Sequence, residues 1–437
     1  MSILTFKGGI HPYEGKELSK AKAIEKLLPE GDVVIPLSQH IGAPAKACIA
    51  VGDRVLVGQK IGEAAGFISA NVHSSVSGTV KKIEPRLIAS GNMVESVIIE
   101  NDGQYEEAVW ELKEYEDMTK EEKRDAIKEA GIVGMGGAGF PTHVKLTPKD
   151  DTAIEYVIVN GAECEPYLTS DYRRMVEEPE VLIEGLKMVL SLFENAKGII
   201  AVEDNKLDVV ITLKKLIKNE DNIEIKAVYT KYPQGGERAL IKAVTGREVN
   251  SSMLPADVGC VVNNVDTMFA IYNALRNHKP LISRVVTVSG NAIVEPANYL
   301  VPVGTNMQQV IEAAGGFKRE PEKVISGGPM MGMAVISTDY PVTKGTSAVL
   351  AFKKDAVAAC EPSACINCGK CLSVCPGRVM PSRLADYAEH GDVEAFIDNY
   401  GMECCECGCC SYICPAKRNL TQAIKSMRKD ILASRKK

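Results

Sequence analysis

The sequence lacks long apolar runs and an excess of positive charge. No stretch of its 437 residues approaches the roughly 18 apolar residues that a membrane-spanning helix requires. Any membrane association is therefore expected to be peripheral or to occur through a partner. The formal net charge of -6 argues against general nucleic-acid binding.

Three familiar motifs are also missing. Residues 1–7 have no apolar core of the kind a secretory signal needs, so we expect a reducing compartment in which thiols stay free. No Walker A sequence occurs. Segments 51–61 and 70–80 resemble the half-motifs of biotinyl and lipoyl carrier domains, but residues 71–77 contain no lysine for cofactor attachment. The sequence therefore predicts a carrier-like fold without a swinging-arm function.

Cysteine, by contrast, is abundant and concentrated. Eleven of the 14 cysteines lie between Cys360 and Cys414, and eight of them form two C-x2-C-x2-C-x3-C-P runs. In bacterial two-cluster ferredoxins such a run gives three ligands to one [4Fe-4S] cluster and its fourth to the other. The spacing predicts cluster 1 at Cys365, Cys368, Cys371 and Cys414, and cluster 2 at Cys404, Cys407, Cys410 and Cys375.

The alternative for these runs is a pair of structural zinc sites. Zinc sites also use C-x2-C pairs, but they favour two pairs separated by a longer loop. Four thiols within 11 residues, repeated with the same proline, favour clusters. Among the other six cysteines, we expect Cys48, Cys164 and Cys260 to be buried apolar residues, and Cys360, Cys405 and Cys409 to neighbour the clusters without binding iron.

The residue patterns predict a multidomain α/β and α+β protein. Short β-rich runs with glycine turns come first, and alternating helices and apolar strands follow, with a capping box at Thr119 and Glu122. The predicted order is a small β-sandwich or barrel (1–110), a parallel α/β domain (111–280), a β-grasp-like domain (281–350) and a two-cluster ferredoxin-like helical domain (351–437).

A glycine-rich loop runs from Gly134 to Thr142. Glycines allow a backbone to approach a phosphate or an aromatic ring and to turn its N–H groups toward it. Taken alone, the loop is weak support for a nucleotide site, because it lacks the strand-then-helix context of a Rossmann fingerprint.

The loop is followed, in order, by three companion motifs at residues 159–166, 232–237 and 262–267. Together these motifs resemble the flavin and NADH module of the complex I 51-kDa subunit family. With the N-terminal segment Gly8 to Pro12 and the two-cluster tail, nearly the whole chain resembles the C-subunit family of Rnf ion-translocating ferredoxin:NAD oxidoreductase complexes. The resemblance implies that 1–110 is a barrel-sandwich hybrid, 111–280 a Rossmann-like FMN/NADH domain and 281–350 a β-grasp domain of SLBB type.

The resemblance implies a set of cofactor-site residues. Those implied to contact FMN are Gly134, Gly136, Gly137, Lys145, Asn160, Tyr232, Gly235, Asn263, Asn264 and Thr267. Glu163, Glu165 and Glu237 would shape the flavin and nucleotide sites. The chain departs from the complex I module at Met135, Ala162 and Gly236, where that module often has an arginine, an acid and a glutamate. These departures bear on NADH affinity more than on FMN binding.

The resemblance also implies a function. FMN would exchange hydride with NAD(H) as substrate and single electrons with two [4Fe-4S] clusters, without a catalytic side chain. The partners would be the other subunits of a membrane complex, with ferredoxin acting indirectly, and the place would be the cytoplasmic side of a bacterial membrane. Two alternatives remain, a flavin and iron–sulfur cobalamin reductase and a non-enzymatic iron–sulfur scaffold. Bleaching of a flavin band by NADH would distinguish an enzyme from a scaffold.

The last predicted helix carries a basic amphipathic pattern. Leu420, Ile424, Met427 and Ile431 fall on one helical face within a basic tail. Both a membrane-surface helix and a solvated terminal helix fit this pattern.

Overall fold

The protein is described by a computed structural model over residues 3–434. Residues 1–2 and 435–437, which belong to the first and last predicted domains, lie outside the described range.

The first region is built from short strands. These are β1 (Ile24–Lys26), β2 (Val33–Pro36), β3 (Lys46–Ala47), β4 (Arg54–Val55), β5 (Lys60–Glu63), β6 (Val72–His73), β7 (Gly78–Leu87) and β8 (Met93–Asn101). Two antiparallel sheets, ordered β2-β8-β7-β4 and β3-β5-β6, enclose a core that includes Val33, Ile35, Ile61 and Ile99. This arrangement agrees with the predicted barrel-sandwich fold.

The hairpin tip at residues 71–77 is packed against later parts of the chain. The Ser75 hydroxyl donates to the Val303 carbonyl oxygen over 2.5 Å, and the Asn71 amide donates to the Glu129 carbonyl oxygen over 3.3 Å. In carrier domains this tip carries the cofactor. In this structure it is held by hydrogen bonds to residues far along the chain.

The second region is a parallel α/β layer structure. Its helices are α1 (Lys120–Glu129), α2 (Thr142–Lys145), α3 (Ser170–Glu177), α4 (Pro179–Leu190), α5 (Leu207–Leu216), α6 (Glu237–Thr245) and α7 (Val265–Arg276). Its strands are β9 (Tyr156–Gly161), β10 (Lys197–Glu203), β11 (Ile223–Val228) and β12 (Cys260–Asn264), all parallel in the order β11-β10-β9-β12. The strands are almost continuously buried because helices cover both faces. The predicted capping box at Thr119 is present at the start of α1.

The third region contains β13 (Ser283–Ser289), β14 (Ala297–Pro302), α8 (Met307–Ala313), β15 (Lys323–Ser326), β16 (Met333–Ala334) and β17 (Ala348–Phe352). Its sheet has the order β1-β14-β13-β17-β15-β16, so strand β1 joins it from the first region. The rest of the N-terminal segment follows the second region, with Leu4 bridged to Val228 and Ile10 to Tyr232. The domain boundaries at residues 110, 280 and 350 remain predictions.

The last region is helical, with α9 (Lys370–Ser373), α10 (Pro381–Glu389), α11 (Val393–Asp398), α12 (Cys409–Ile413) and α13 (Leu420–Ser434). Leu420, Ile424, Met427 and Ile431 of α13 are buried in a core shared with Leu384 of α10. The apolar face of the tail helix is therefore covered by protein. Within residues 3–434, no helix has the length and apolar character needed to cross a membrane.

Candidate functional site

The glycine loop is a closed turn at the edge of the α/β region. The Gly134 N–H donates to the Phe140 carbonyl oxygen over 2.8 Å, and Val133 forms a bridge with Pro141. Gly136, Gly137 and Ala138 at the top of the loop are exposed. An added Cβ at Gly137 would meet no atom within 4 Å, so open space faces this backbone.

Buried charges hold the loop in place. The Met135 N–H donates to the Thr267 hydroxyl over 3.3 Å, which ties the loop to α7. The Arg284 guanidinium forms an ion pair with Asp266 and lies 3.5 Å from the Met135 carbonyl oxygen. Sequence reasoning missed Arg284, because no local pattern links a β13 residue to a loop 150 positions earlier in the chain.

The parallel sheet has a topological switch point beside this loop. Strand β9 is followed by β10 on one side, whereas β12 pairs with its other side. At such a point the chain connections from the two neighbouring strands run in opposite directions. In open α/β sheets, ligands bind in the crevice that this reversal creates outside the carboxyl ends of the strands. Asn160 of β9 and Asn264 of β12 are register partners at this end. We call this place the switch-point crevice.

Two predicted site residues have side chains free to meet a ligand. Both polar atoms of the Asn263 side chain and the Tyr232 hydroxyl are buried and have no hydrogen-bond partner among the described residues. Buried polar groups are rarely left unpaired, so such atoms indicate a polar ligand. The residues present thus fit a group with hydroxyl, carbonyl or phosphate oxygens, as FMN has.

Two other predicted amides already have protein partners. The Asn160 amide donates to the Gly235 carbonyl oxygen over 2.8 Å. The Asn264 amide donates to the Asp171 carboxylate over 2.6 Å, while its oxygen accepts the Asp266 N–H and caps α7. These two asparagines shape the crevice, whereas both polar atoms of the Asn263 side chain have no hydrogen-bond partner among the described residues.

The Tyr232 to Glu237 motif leads into the N-terminus of α6. A Cβ at Gly235 would lie 2.2 Å from the Ala162 carbonyl oxygen, so only glycine fits there. The Lys145 ammonium donates to the Val262 carbonyl oxygen over 2.9 Å and lies 3.7 Å from the Glu237 carboxylate. A cation, an acid and a helix N-terminus therefore meet at the end of β12.

The two glutamates after β9 face different neighbours. Glu163 accepts the Asp171 N–H over 2.9 Å at the start of α3. Glu165 accepts the N–H groups of Met330 and Met331 over 3.0 and 2.9 Å. Burial raises the pKa of Glu165 to about 7, and the two N–H groups oppose that shift. Glu165 therefore positions the loop that contains Met330.

Asp171 is a further acid that sequence reasoning missed. It lies between Glu163 and Asn264, and burial raises its pKa, with the negative charges of Glu163 and Asp266 adding to the effect. Its position shortly after the 159–166 motif was the one signal that could have drawn attention to it.

The first cysteine run surrounds an open cavity. This cavity has a volume of about 160 Å³, and Cys365, Cys368, Cys371 and Cys414 all line it. These are the four residues predicted to bind cluster 1. The structure thus brings the fourth cysteine of the second run to the first run.

The second run is packed into the protein. Cys407 and Cys410 are each 8% exposed, and Cys410 shares a core with Cys375 and Cys404. Cys407 and Cys409 pack against Tyr232. The second run thus contacts a residue that the resemblance implies to lie at FMN.

Across residues 3–434, no three His, Cys, Asp or Glu side chains converge closely enough to hold a single metal ion. A single zinc ion needs four ligands at bonding distance around one centre, whereas a cluster spreads its ligands over several iron atoms. The choice of a cluster over a zinc ion stays a prediction from the cysteine spacing. One smaller expectation was wrong, since Cys48 is exposed and not buried. Cys260 is buried as predicted, and Cys164 is half-buried.

Comparison with known proteins agrees with this architecture. Residues 4–104 match the RnfC barrel sandwich hybrid domain, residues 127–273 the Nuo51 FMN-binding domain and residues 285–334 the SLBB domain. These matches define a multidomain redox protein with an FMN-binding α/β domain, and they confirm the predicted fold class.

Similar proteins narrow this class. The chain is 45% identical over 435 residues to the C subunit of the Na(+)-translocating ferredoxin:NAD(+) oxidoreductase complex of Acetobacterium woodii, covering 99% of this chain and 98% of the relative. It is 43% identical to the C subunit of the proton-translocating complex of Clostridium ljungdahlii, covering 88% of this chain and 84% of that one. The chain belongs to the family of C subunits of ion-translocating ferredoxin:NAD(+) oxidoreductase complexes, as the resemblance predicted.

A solved structure shares the fold. The crystal structure of an NAD+-reducing [NiFe]-hydrogenase in the H2-reduced state superposes with a TM-score of 0.51 at 20% identity. The match covers 73% of this chain and 62% of that chain. At this identity the likeness concerns the fold alone.

Proposed function

We propose that this chain is the NAD(H)-reacting electron-transfer subunit of a ferredoxin:NAD+ oxidoreductase complex that moves Na+ or H+. One observation carries the proposal. Tyr232, which the resemblance implies to contact FMN, packs against Cys407 and Cys409, so the predicted flavin site and a predicted cluster share a wall. Family membership supports the same role.

The chain's own residues would hold and orient the cofactors. Lys145 and the exposed backbone of Gly136 and Gly137 suit a phosphate, and Asn263 and Tyr232 suit other polar atoms of FMN. When bound, FMN can exchange two electrons with a nicotinamide and single electrons with iron–sulfur clusters. Since the second cysteine run lies nearer Tyr232, we propose that cluster 2 is the inner cluster and cluster 1 the outer one.

The proposal also gives this subunit partners and a cellular location. The outer cluster would connect to other subunits of the complex, and ferredoxin would be reached through them. The subunit would be peripheral, on the cytoplasmic side of a bacterial membrane.

Iron and flavin quantitation on anaerobically purified protein, followed by titration with NADH, tests the proposal. We expect about eight iron atoms, which is two cubes, one FMN per chain, and a flavin band that NADH bleaches. Absence of flavin after reconstitution would favour a scaffold. Bound flavin that NADH leaves oxidised would contradict the NAD(H) role.

A further inference from the structure

A small cavity of about 40 Å³ lies at the carboxyl ends of β9, β10 and β11. It can hold on the order of two or three water molecules, since each needs roughly 10–15 Å³ of such volume. Among the residues lining it are Glu163, Glu203 and Tyr232 on the inside, and His11, Glu14 and Asn205 toward the surface. The cavity therefore connects two buried acids with exposed side chains. At its inner end, Glu163 accepts the Asp171 N–H, and the Asp171 carboxylate accepts from Asn264 of the switch-point crevice.

The inner end of the cavity carries partnerless acid oxygens. Glu163 is 6% exposed and Glu203 is 1% exposed. One carboxylate oxygen of each, Oε2 of Glu163 and Oε1 of Glu203, has no hydrogen-bond partner among the described residues. Leaving a buried carboxylate oxygen unpaired is costly, and a polar cavity of this size lets water satisfy it.

Two buried lysines balance these acids. The Lys206 ammonium lies 2.7 Å from Glu203, and the Lys16 ammonium lies 3.7 Å from Glu163. Burial lowers the pKa of Lys16, while the Glu163 charge opposes that shift. The other titratable groups that line the cavity are His11, Glu14, Cys164, Lys231 and Tyr232. Two acids and two buried cations thus share one small polar space.

Hydrogen bonds continue from Glu203 to the surface. The Lys206 ammonium donates to the Asn205 side-chain oxygen over 3.0 Å, and the Asn205 amide donates to the Glu14 carboxylate over 2.8 Å. Asn205 and Glu14 are exposed. Lys206 therefore holds Glu203 at the inner end of the cavity, and Asn205 holds Glu14 at the outer end.

The proposed reaction needs such a path. Oxidation of one NADH gives NAD+, two electrons and one proton. The electrons pass to the clusters, so the proton has to leave the crevice separately. In the opposite direction, NAD+ takes two electrons and one proton, which has to enter.

We propose that Glu163, Glu203 and the cavity between them form the proton path between the switch-point crevice and the solvent at His11 and Glu14. This inference rests on the proposed function. Asp171 connects Glu163 to Asn264 at the crevice, water in the cavity would link Glu163 to Glu203, and the path opens to solvent beside Glu14.

Glu203→Gln tests this path, because glutamine keeps the size and the hydrogen bond to Lys206 but cannot carry the proton. Stopped-flow mixing of the holoprotein with NADH alone measures flavin bleaching, and the same mixing with excess ferricyanide as electron acceptor and a pH dye measures proton release. We expect bleaching at the wild-type rate and proton release slowed at least about tenfold. Glu203→Asp should restore most of the rate, and formate should rescue Glu203→Gln.

A second readout does not depend on turnover. Infrared difference spectra on electrochemical reduction should show a carboxyl band in the wild type that is lost in Glu203→Gln and present in the control Glu177→Gln, a surface ion-pair variant. Equal proton release and an unchanged band in Glu203→Gln would overturn the path. If NADH fails to bleach even the wild-type flavin, the proposed function itself is wrong.

Discussion

The two cysteine runs have the same spacing but lie in very different surroundings. Cys365 and Cys368 of the first run are exposed, and the neighbouring Ile366 is 66% exposed. Cys407 and Cys410 of the second run are buried. Local sequence fixes which thiols can bind a cluster, whereas distant residues decide which cluster is enclosed.

The enclosing residues come from three other regions. Ile10 from the N-terminal segment, Tyr232 from the α/β region and Met330 from the SLBB-like region pack around Cys407. Val374, next to Cys375, and Cys409 come from the cluster region itself. A buried centre beside a cofactor crevice suits an inner relay, and an exposed centre suits exchange with a partner.

Loss of the flavin is the largest effect that we expect, because neither cluster could then receive electrons from NADH. Gly137→Val should abolish FMN binding, because its Cβ would meet no atom of the folded chain within 4 Å and its side chain would occupy the open space at the top of the loop. Flavin fluorescence after reconstitution measures the loss, and dithionite should still reduce both clusters.

Ala138→Val is the matched control, since Ala138 is the exposed neighbour in the same loop and no cofactor contact is predicted for it. Full FMN content in Gly137→Val, or equal loss in both variants, would contradict the role of Gly137.

Deleting one cluster at a time tests the order of the runs. Cys407→Ser should leave about four iron atoms and should prevent NADH from reducing the remaining outer cluster, because the inner link is gone. Cys368→Ser should also leave about four, but NADH should still reduce the inner cluster. Iron analysis and electron paramagnetic resonance of NADH-treated protein give the answer. The opposite pattern would reverse the proposed order.

Much of the architecture could be predicted because its signals are local. The cysteine spacing, the Thr119 capping box and the buried strands at β9 and β10 each depend on neighbouring residues. The apolar stripe of α13 was also visible in the sequence. Its covering partner was not, since the stripe packs on α10 through contacts that periodicity alone cannot reveal.

What could not be predicted depends on contacts between distant residues. Strand β1 pairs with β14 across more than 270 positions, and Lys16 reaches Glu163 across nearly 150. Glu203 ends an ordinary buried strand, and nothing in its local sequence marks it. The division of labour between Asn263 and Asn264 is likewise invisible, because it depends on whether Asp171 is near enough to accept a hydrogen bond.

Glu165 binds the Met330 loop, which covers the second cysteine run, and its titration makes the stability of the protein depend on pH. An unfolded glutamate titrates near pH 4.3, whereas in the folded protein the pKa of Glu165 is raised to about 7. The folded state therefore binds more protons between these values, so the free energy of unfolding falls as the pH rises through this window. The loss amounts to at most about 4 kcal/mol.

Glu165→Gln should remove this dependence. Thermal unfolding of the wild type and the variant from pH 4 to pH 8 measures it, and the two curves should converge at low pH and separate toward pH 7. Parallel curves would show that Glu165 titrates like an exposed acid and does not control the Met330 loop by its charge.

The smallest expected effects concern the two cysteines that flank Cys407 out of register. Cys409 is fully buried, with its sulfur 3.8 Å from the Tyr232 carbonyl oxygen, whereas Cys405 is exposed. Cys409→Ala should cost about 1 kcal/mol because it removes one buried atom. Cys405→Ala should stay within about 0.5 kcal/mol. Both variants should keep about eight iron atoms, measured together with thermal stability. A fall to about four in either would make that cysteine a ligand, and the two runs would then no longer bind their clusters by the same spacing.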